Sequence, residues 1–244
     1  MPSSARTGAV ARHQIVLLRR APGPLVTYTV LPILLIVLLE PVHARLDPGT
    51  PAIAAAAPGM VIMFALFLTG TIGDSLLLER DWRTWDRLRS TPTRAVELVA
   101  GKVLPLLGVL VAQQVVVFGF AAVGYGLDLA AGGWRLAVVG LAWAVCVTGC
   151  GTALGTVVRR HSQLTTVKDI GTLALAGLGG ALLPLALLPS WAAAVAPVSP
   201  GYWAMRGYTA ALHGGGVPIG AVAILLGTGV AGLTIAVLAQ ARVP

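Results

Sequence analysis

The sequence predicts an all-α polytopic membrane protein with six transmembrane helices and both termini in the cytoplasm. Three observations carry this. Only 11% of the 244 residues are charged while 57% are hydrophobic, and mean hydropathy is +0.86. A water-soluble domain carries about 25% charged residues, so too few charges remain here to coat a surface facing water. The apolar residues also run in long blocks rather than amphipathic stripes, and a helix crossing the hydrocarbon core needs roughly 20 of them. Finally, the basic residues are sorted to alternate sides of those blocks. Six spans and their connections consume nearly the whole chain, so 1–244 reads as one transmembrane domain.

In order along the chain, residues 1–23 form a cytoplasmic tail. Within it, Arg12 to Arg20 enclose Ile15, Val16, Leu17 and Leu18, a pattern for a short helix lying on the inner leaflet. The first span is expected at residues 25–42 with Pro32 inside, and the second at 53–78. A cytoplasmic helix at 79–95 follows, then a third span at 96–123 containing Pro105. The fourth is expected at 136–158, and the fifth at 170–188 with Pro184 inside. Proline is tolerated in such helices when neighbours satisfy the freed carbonyls. Residues 189–216 hold Trp191, Tyr202, Trp203 and Tyr208, which suit a membrane–water interface. They are read as one or two short interfacial or re-entrant helices on the outer face. The sixth span is expected at 217–239. Small residues four apart, at Gly151/Gly155, Gly216/Gly220 and Ala223/Gly227/Ala231, allow helix backbones to approach closely.

Orientation follows from the basic residues. With the N-terminus inside, the inner segments hold Arg6, Arg12, Arg19, Arg20, Arg80, Arg83, Arg87, Arg89, Arg94, Lys102, Arg159, Arg160, Lys168 and Arg242. Outside lie Arg45, Arg135 and Arg206. Fourteen against three is a strong positive-inside bias. The same distribution explains the net charge of +8 without nucleic acid, which would need a basic face on a water-exposed fold. The N-terminus lacks the compact apolar region and small-residue cleavage site of a signal peptide.

Most catalytic readings fail on the residues. There is no P-loop, because Lys102 precedes Val103 and Lys168 precedes Asp169, so neither sits in a Gly-x-x-x-x-Gly-Lys-Ser/Thr loop. His13, His43, His161 and His213 have no ligand spacing, so no metal site is expected. Cys146 and Cys150, one helical turn apart, read as packing residues. Gly73-Asp74-Ser75-Leu76 spells an esterase motif, but neither His161 nor His213 has an aspartate three residues before it. Asp74 is the one acid inside an apolar run; it is either an interfacial acid paired with a loop arginine or part of an inner gate. Gln113 and Gln114, mid-span in the third helix, are placed to bond a neighbouring helix or to line a substrate path.

The segment from Glu79 to Pro92 is the most informative. Leu78, Trp82, Trp85 and Leu88 fall on one helical face, as an anchor toward the bundle or lipid. Glu79, Arg83 and Arg87 form an i, i+4, i+8 row on another face, and Glu ahead of Arg at this spacing favours a helix. Thr91 and Pro92 suit the N-cap and first position of the next helix. On these grounds alone a solvated loop helix remains an equal alternative.

This segment resembles the signature of type-2 ABC transporter permeases, whose first cytoplasmic loop reads approximately Glu-Arg-Glu-x-Gly-Thr-x-x-Arg-Leu-x-x-Thr-Pro. Glu79, Arg80, Thr84, Arg87, Leu88, Thr91 and Pro92 match; Asp81 replaces the second acid and Arg83 stands where the family has glycine. A second resemblance runs from Gly179 to Pro184, then Pro189 to Trp191 and Pro197 to Trp203. The layout is most similar to daunorubicin-resistance-type exporters of drugs, antibiotics, lipids or glycolipids. The resemblance implies a bacterial plasma-membrane permease that pairs with a second permease copy and with two cytoplasmic ATPase subunits. ATP and Mg would sit on those subunits, and this chain would bind no cofactor of its own. It further implies that Glu79, Arg80, Asp81, Arg83, Arg87, Thr91 and Pro92 contact the ATPase. The alternatives are a polytopic enzyme acting on lipids, or a carrier or scaffold that works without ATP.

Overall fold

The computed structural model describes residues 3–46, 52–81, 95–129 and 132–241. Among these there are nine α-helices. They are α1 (Ser3–Arg20), α2 (Gly23–Leu46), α3 (Ala52–Asp81), α4 (Ala95–Tyr125), α5 (Gly133–Val157), α6 (His161–Leu178), α7 (Ser190–Val195), α8 (Pro200–Leu212) and α9 (Ile219–Ala241).

Five helices are long and apolar enough to cross a membrane: α2, α3, α4, α5 and α9. They are apolar on all sides, as a helix that meets only lipid and other helices should be. Helix α3 is the central post. It packs against α2, α4, α5, α6 and α8, and nine-tenths of its apolar window is buried. Helix α2 lies at the edge, touching α3 and α4 and turning Val26, Val30, Leu34 and Leu38 outward. Pro32 and Pro41 both sit within it, and Pro58 and Pro105 within α3 and α4.

The tightest contacts are made by glycine. Helices α5 and α9 meet at Gly149, Gly229 and Gly232, where a Cβ on any of them would overlap the opposing backbone. Gly151 and Gly155 bring α5 equally close to α3, at Ile72 and Gly73. The expected spacing at Gly151/Gly155 therefore marks a real interface. That at Ala223/Gly227/Ala231 makes no contact among the described residues: these residues face outward, and within the chain α9 packs through Ala221, Leu225, Gly229, Gly232 and Ala236.

Two elements differ from the sequence expectation. The tail helix is not confined to Arg12–Arg20. It spans 18 residues and docks along α4, with Val10 seated on Gly101, while Ile15, Val16 and Leu17 remain exposed. The continuous fifth span across 170–188 is absent. Helix α6 starts earlier, at His161, and stops at Leu178. Its 18 residues correspond to ~27 Å. The stop is local: Gly180 takes φ +79°, the amide of Ala181 donates to the Ala176 carbonyl at 2.9 Å, and that of Gly180 to Gly177 at 3.2 Å. This is a Schellman cap, and a left-handed C′ glycine makes it inexpensive. Pro184 thus lies beyond the helix, in a short turn leading to α7. The stretch 189–216 folds as α7, a 3-10 turn at Ala196–Val198, and α8. The Ser199 hydroxyl caps α8 by accepting from the Gly201 amide at 3.1 Å.

Contacts between elements divide the bundle into two ends. At one lie α1, the C-terminal turns of α3, and the N-terminal turns of α4 and α6. At the other, Gly59 of α3 meets Ala181, Gly179 meets Gly201, and Gly132 meets Ala211.

Candidate functional site

The candidate site is the end of the bundle where α3 stops and α4 begins, since these helices bracket the segment on which the sequence argument turned. Helix α3 continues through Glu79, Arg80 and Asp81 before it ends. Trp82, Arg83, Trp85, Arg87, Leu88, Thr91 and Pro92 lie outside the described residues, so the tryptophan anchor and the contact row beyond Glu79 fall there. What is described is the mounting of that segment, and three polar links fasten it.

First, Arg6 of α1 pairs with Glu97 in the first turn of α4 at 3.0 Å. Glu97 is buried, and its carboxylate beside the positive end of the helix dipole is well placed electrostatically. Second, Lys102 of α4 is 4% exposed and donates from Nζ to the carbonyl of Ser75 on α3. Third, Nδ1 of His161, the first residue of α6, lies 2.8 Å from Oδ1 of Asp74 on α3. Asp74 is therefore paired with an imidazole from α6, while the side chains of the loop arginines from Arg80 to Arg94 lie outside what is described. Beside this pair, Lys168 lies 5.8 Å from the ring centre of Phe67 on α3 and 2.9 Å from Asp169. Together the links join α1, α3, α4 and α6 at the level where 82–94 leaves and returns.

The esterase motif gains nothing from this geometry. The Ser75 hydroxyl donates to its own helix, at the Ile72 carbonyl 2.7 Å away, and is not held by the imidazole of His161. Among the described residues no group of three metal-ligating side chains comes together.

The two mid-span glutamines part company. Gln114 is consumed in packing: its amide donates to the Gly140 carbonyl of α5 at 3.1 Å and to Leu110 at 3.2 Å, and its Oε1 accepts from the Tyr208 hydroxyl at 2.7 Å. Gln113 faces α2 and donates to the Tyr28 carbonyl at 3.1 Å, while its Oε1 is buried without a partner. Tyr208 was expected at an interface among the other aromatics. It is instead fully buried in α8, against Phe118 of α4. A tyrosine in an aromatic-rich segment gives no clue to its depth. Gly207 and Ala211 on the same face of α8 are the signal that finds it. Lys102 was likewise counted only as a topology marker, and His161 was weighed only as a metal ligand or esterase base; their pairing needed the fold.

A family model described as ABC-2 type transporter matches residues 6–213. No curated protein matches the chain. With apolar helices built for lipid, a charged segment mounted on α3 and α4, and a match over most of its length, the chain belongs to the ABC-2 type transporter family.

Proposed function

We propose that this chain is the transmembrane permease subunit of an ATP-driven exporter in a bacterial plasma membrane, moving a hydrophobic or amphipathic compound outward. The observation that carries the reading is the family match together with the mounting of residues 82–94 on two helices locked to their neighbours. A lever transmits force only if its base is stiff, and the three polar links stiffen that base. ATP and Mg belong on a separate cytoplasmic ATPase, since this chain has no P-loop. Closure of that partner would push on Glu79–Pro92 and tilt α3 and α4, and a second permease copy would complete the pathway. A partner shifts such an equilibrium only by binding one state better than the other.

In this reading both termini are cytoplasmic, and α6 with the turns after it takes the place of the fifth span. Asp74 with His161 forms the polar seam at the inner mouth. Of the two glutamines, Gln113 is the one whose buried oxygen has no partner, and a movement of α2 away from α4 would uncover it to a passing molecule; Gln114 is fully engaged. The test is charge reversal at Glu79. Tagged wild-type and Glu79→Lys chains are recovered from native membranes, and bound ATPase and export are both measured. The variant should retain its place in the membrane but lose most of the ATPase and of the export. Undiminished recovery of the ATPase would sink the assignment.

A further inference from the structure

The end of the bundle away from Glu97 and Lys102 is poor in basic residues, and this makes Arg206 conspicuous. It sits on the exposed stripe of α8, between Tyr202 one turn before it and Thr209 and His213 after it. Its guanidinium is 5.7 Å from the ring centres of both Tyr202 and Trp203. Among the described residues no carboxylate lies within salt-bridge distance of it. A cation held by two aromatic faces is oriented without being neutralised.

Arg206 borders an open groove of about 350 Å³ whose other walls are Leu185, Met205, Thr209, Ala210 and His213. Part of the hydrogen-bonding capacity there is unspent. Thr228 and Thr234 turn their hydroxyls back to carbonyls four residues earlier, at 2.8 Å, whereas the Thr209 hydroxyl makes no such bond. The Nδ1 of His213 is tied to the Thr209 carbonyl at 2.8 Å, which leaves Nε2 to face outward. Leu187, two residues on from the groove's Leu185, and Trp191 after it are exposed apolar side chains. The arrangement is a cation and two hydrogen-bonding groups at the mouth of an apolar slot, ringed by interfacial aromatics.

We infer that this groove binds the phosphodiester of an anionic glycerophospholipid from the leaflet at the arginine-poor end. Arg206 would take the phosphate with a guanidinium fork, a geometry lysine lacks. The Thr209 hydroxyl donates to a further phosphate oxygen, a headgroup hydroxyl donates to Nε2 of His213, and an acyl chain runs along Leu185 and Leu187. Charge complementarity selects the occupant, and the apolar continuation selects a lipid over a free anion. This inference does not rest on the export reading.

The full chain is purified in nanodiscs holding equal amounts of phosphatidylglycerol and phosphatidylcholine, and the lipids kept on release into the gas phase are counted by native mass spectrometry. Wild type should retain phosphatidylglycerol at least fivefold over phosphatidylcholine. Arg206→Gln should lose that preference, Arg206→Lys should keep part of it, and Arg135→Gln should keep all of it. Equal retention of the two lipids, or a preference unchanged in Arg206→Gln, overturns the proposal. Displacement of the bound lipid by millimolar glycerol phosphate would assign the groove to a soluble anion. A wild-type dimer that dissociates in Arg206→Gln, with no lipid held by either, would assign it to a second copy of the chain.

Discussion

Replacing Gly149 with alanine tests how the two helices α5 and α9 are held. The added Cβ would stand 2.7 Å from both Cα and the carbonyl carbon of Gly229, and closer still to its oxygen. Ordinary contact begins at 3.4 Å, so the two carbons alone require the helices to part by about 0.7 Å, and the oxygen requires more. Neither obstacle is a side chain that can turn away. Overpacking of this kind costs about 1–3 kcal/mol, and backbone against backbone belongs at the upper end. Alanine recovers about 0.8–1 kcal/mol of helix propensity, which leaves a net loss of ~2 kcal/mol. For a chain of this size each kcal/mol moves the midpoint by ~2–4 °C, so melting should fall by ~4–8 °C. Gly227 supplies the control, since a Cβ there meets nothing within 4 Å. Gly227→Ala should melt at or above wild type. The measurement is the fraction of monodisperse protein surviving a temperature series in detergent, read by size-exclusion fluorescence. If the two alanine variants melt together, the close approach of α5 and α9 is wrong.

Two further perturbations address the polar links. Arg6→Ala leaves the buried carboxylate of Glu97 without this partner; with Arg6 partly exposed, the loss should be ~1–3 kcal/mol, less than for a fully buried pair. The exchanged pair Arg6→Glu with Glu97→Arg should recover most of it in the same detergent melt, and no recovery would mean that the pair is not what holds α1 to α4. Tyr208→Phe strands the Oε1 of Gln114 and should cost ~1–3 kcal/mol, as should Gln114→Leu. The double variant should cost less than the sum, with a coupling of ~0.5 kcal/mol or more; simple additivity would show that the bond contributes nothing.

How legible the fold was depended on whether the controlling signal is local. Unbroken apolar runs located α2, α3, α4, α5 and α9 to within a few residues, because lipid demands length and apolarity and little else. Helix α6 was misplaced since hydropathy ran on through Leu182, Leu183 and Leu187, while the backbone had already turned at Gly180. The Gly179-Gly180 pair was visible, but thirty glycines dilute any one of them as a stop signal. At the site, Glu79 and its neighbours were found as a charged interruption between two spans. The residues that brace them were not. Asp74 with His161, and Arg6 with Glu97, are separated by 87 and 91 positions, and no periodicity in one chain relates positions so far apart.

The cap that ends α6 also serves as a junction. Ser199 at the head of α8 donates to the Leu175 carbonyl at 2.7 Å, Gly179 lies against Gly201, and Gly59 of α3 abuts the carbonyl of Ala181. Three peptide strands thus touch with no side chains between them to cushion the joint. A tilt of α3 at this level has no slack to take up and must carry α6 and α8 along with it, so the far face of the protein is geared to its central post by bare main chain.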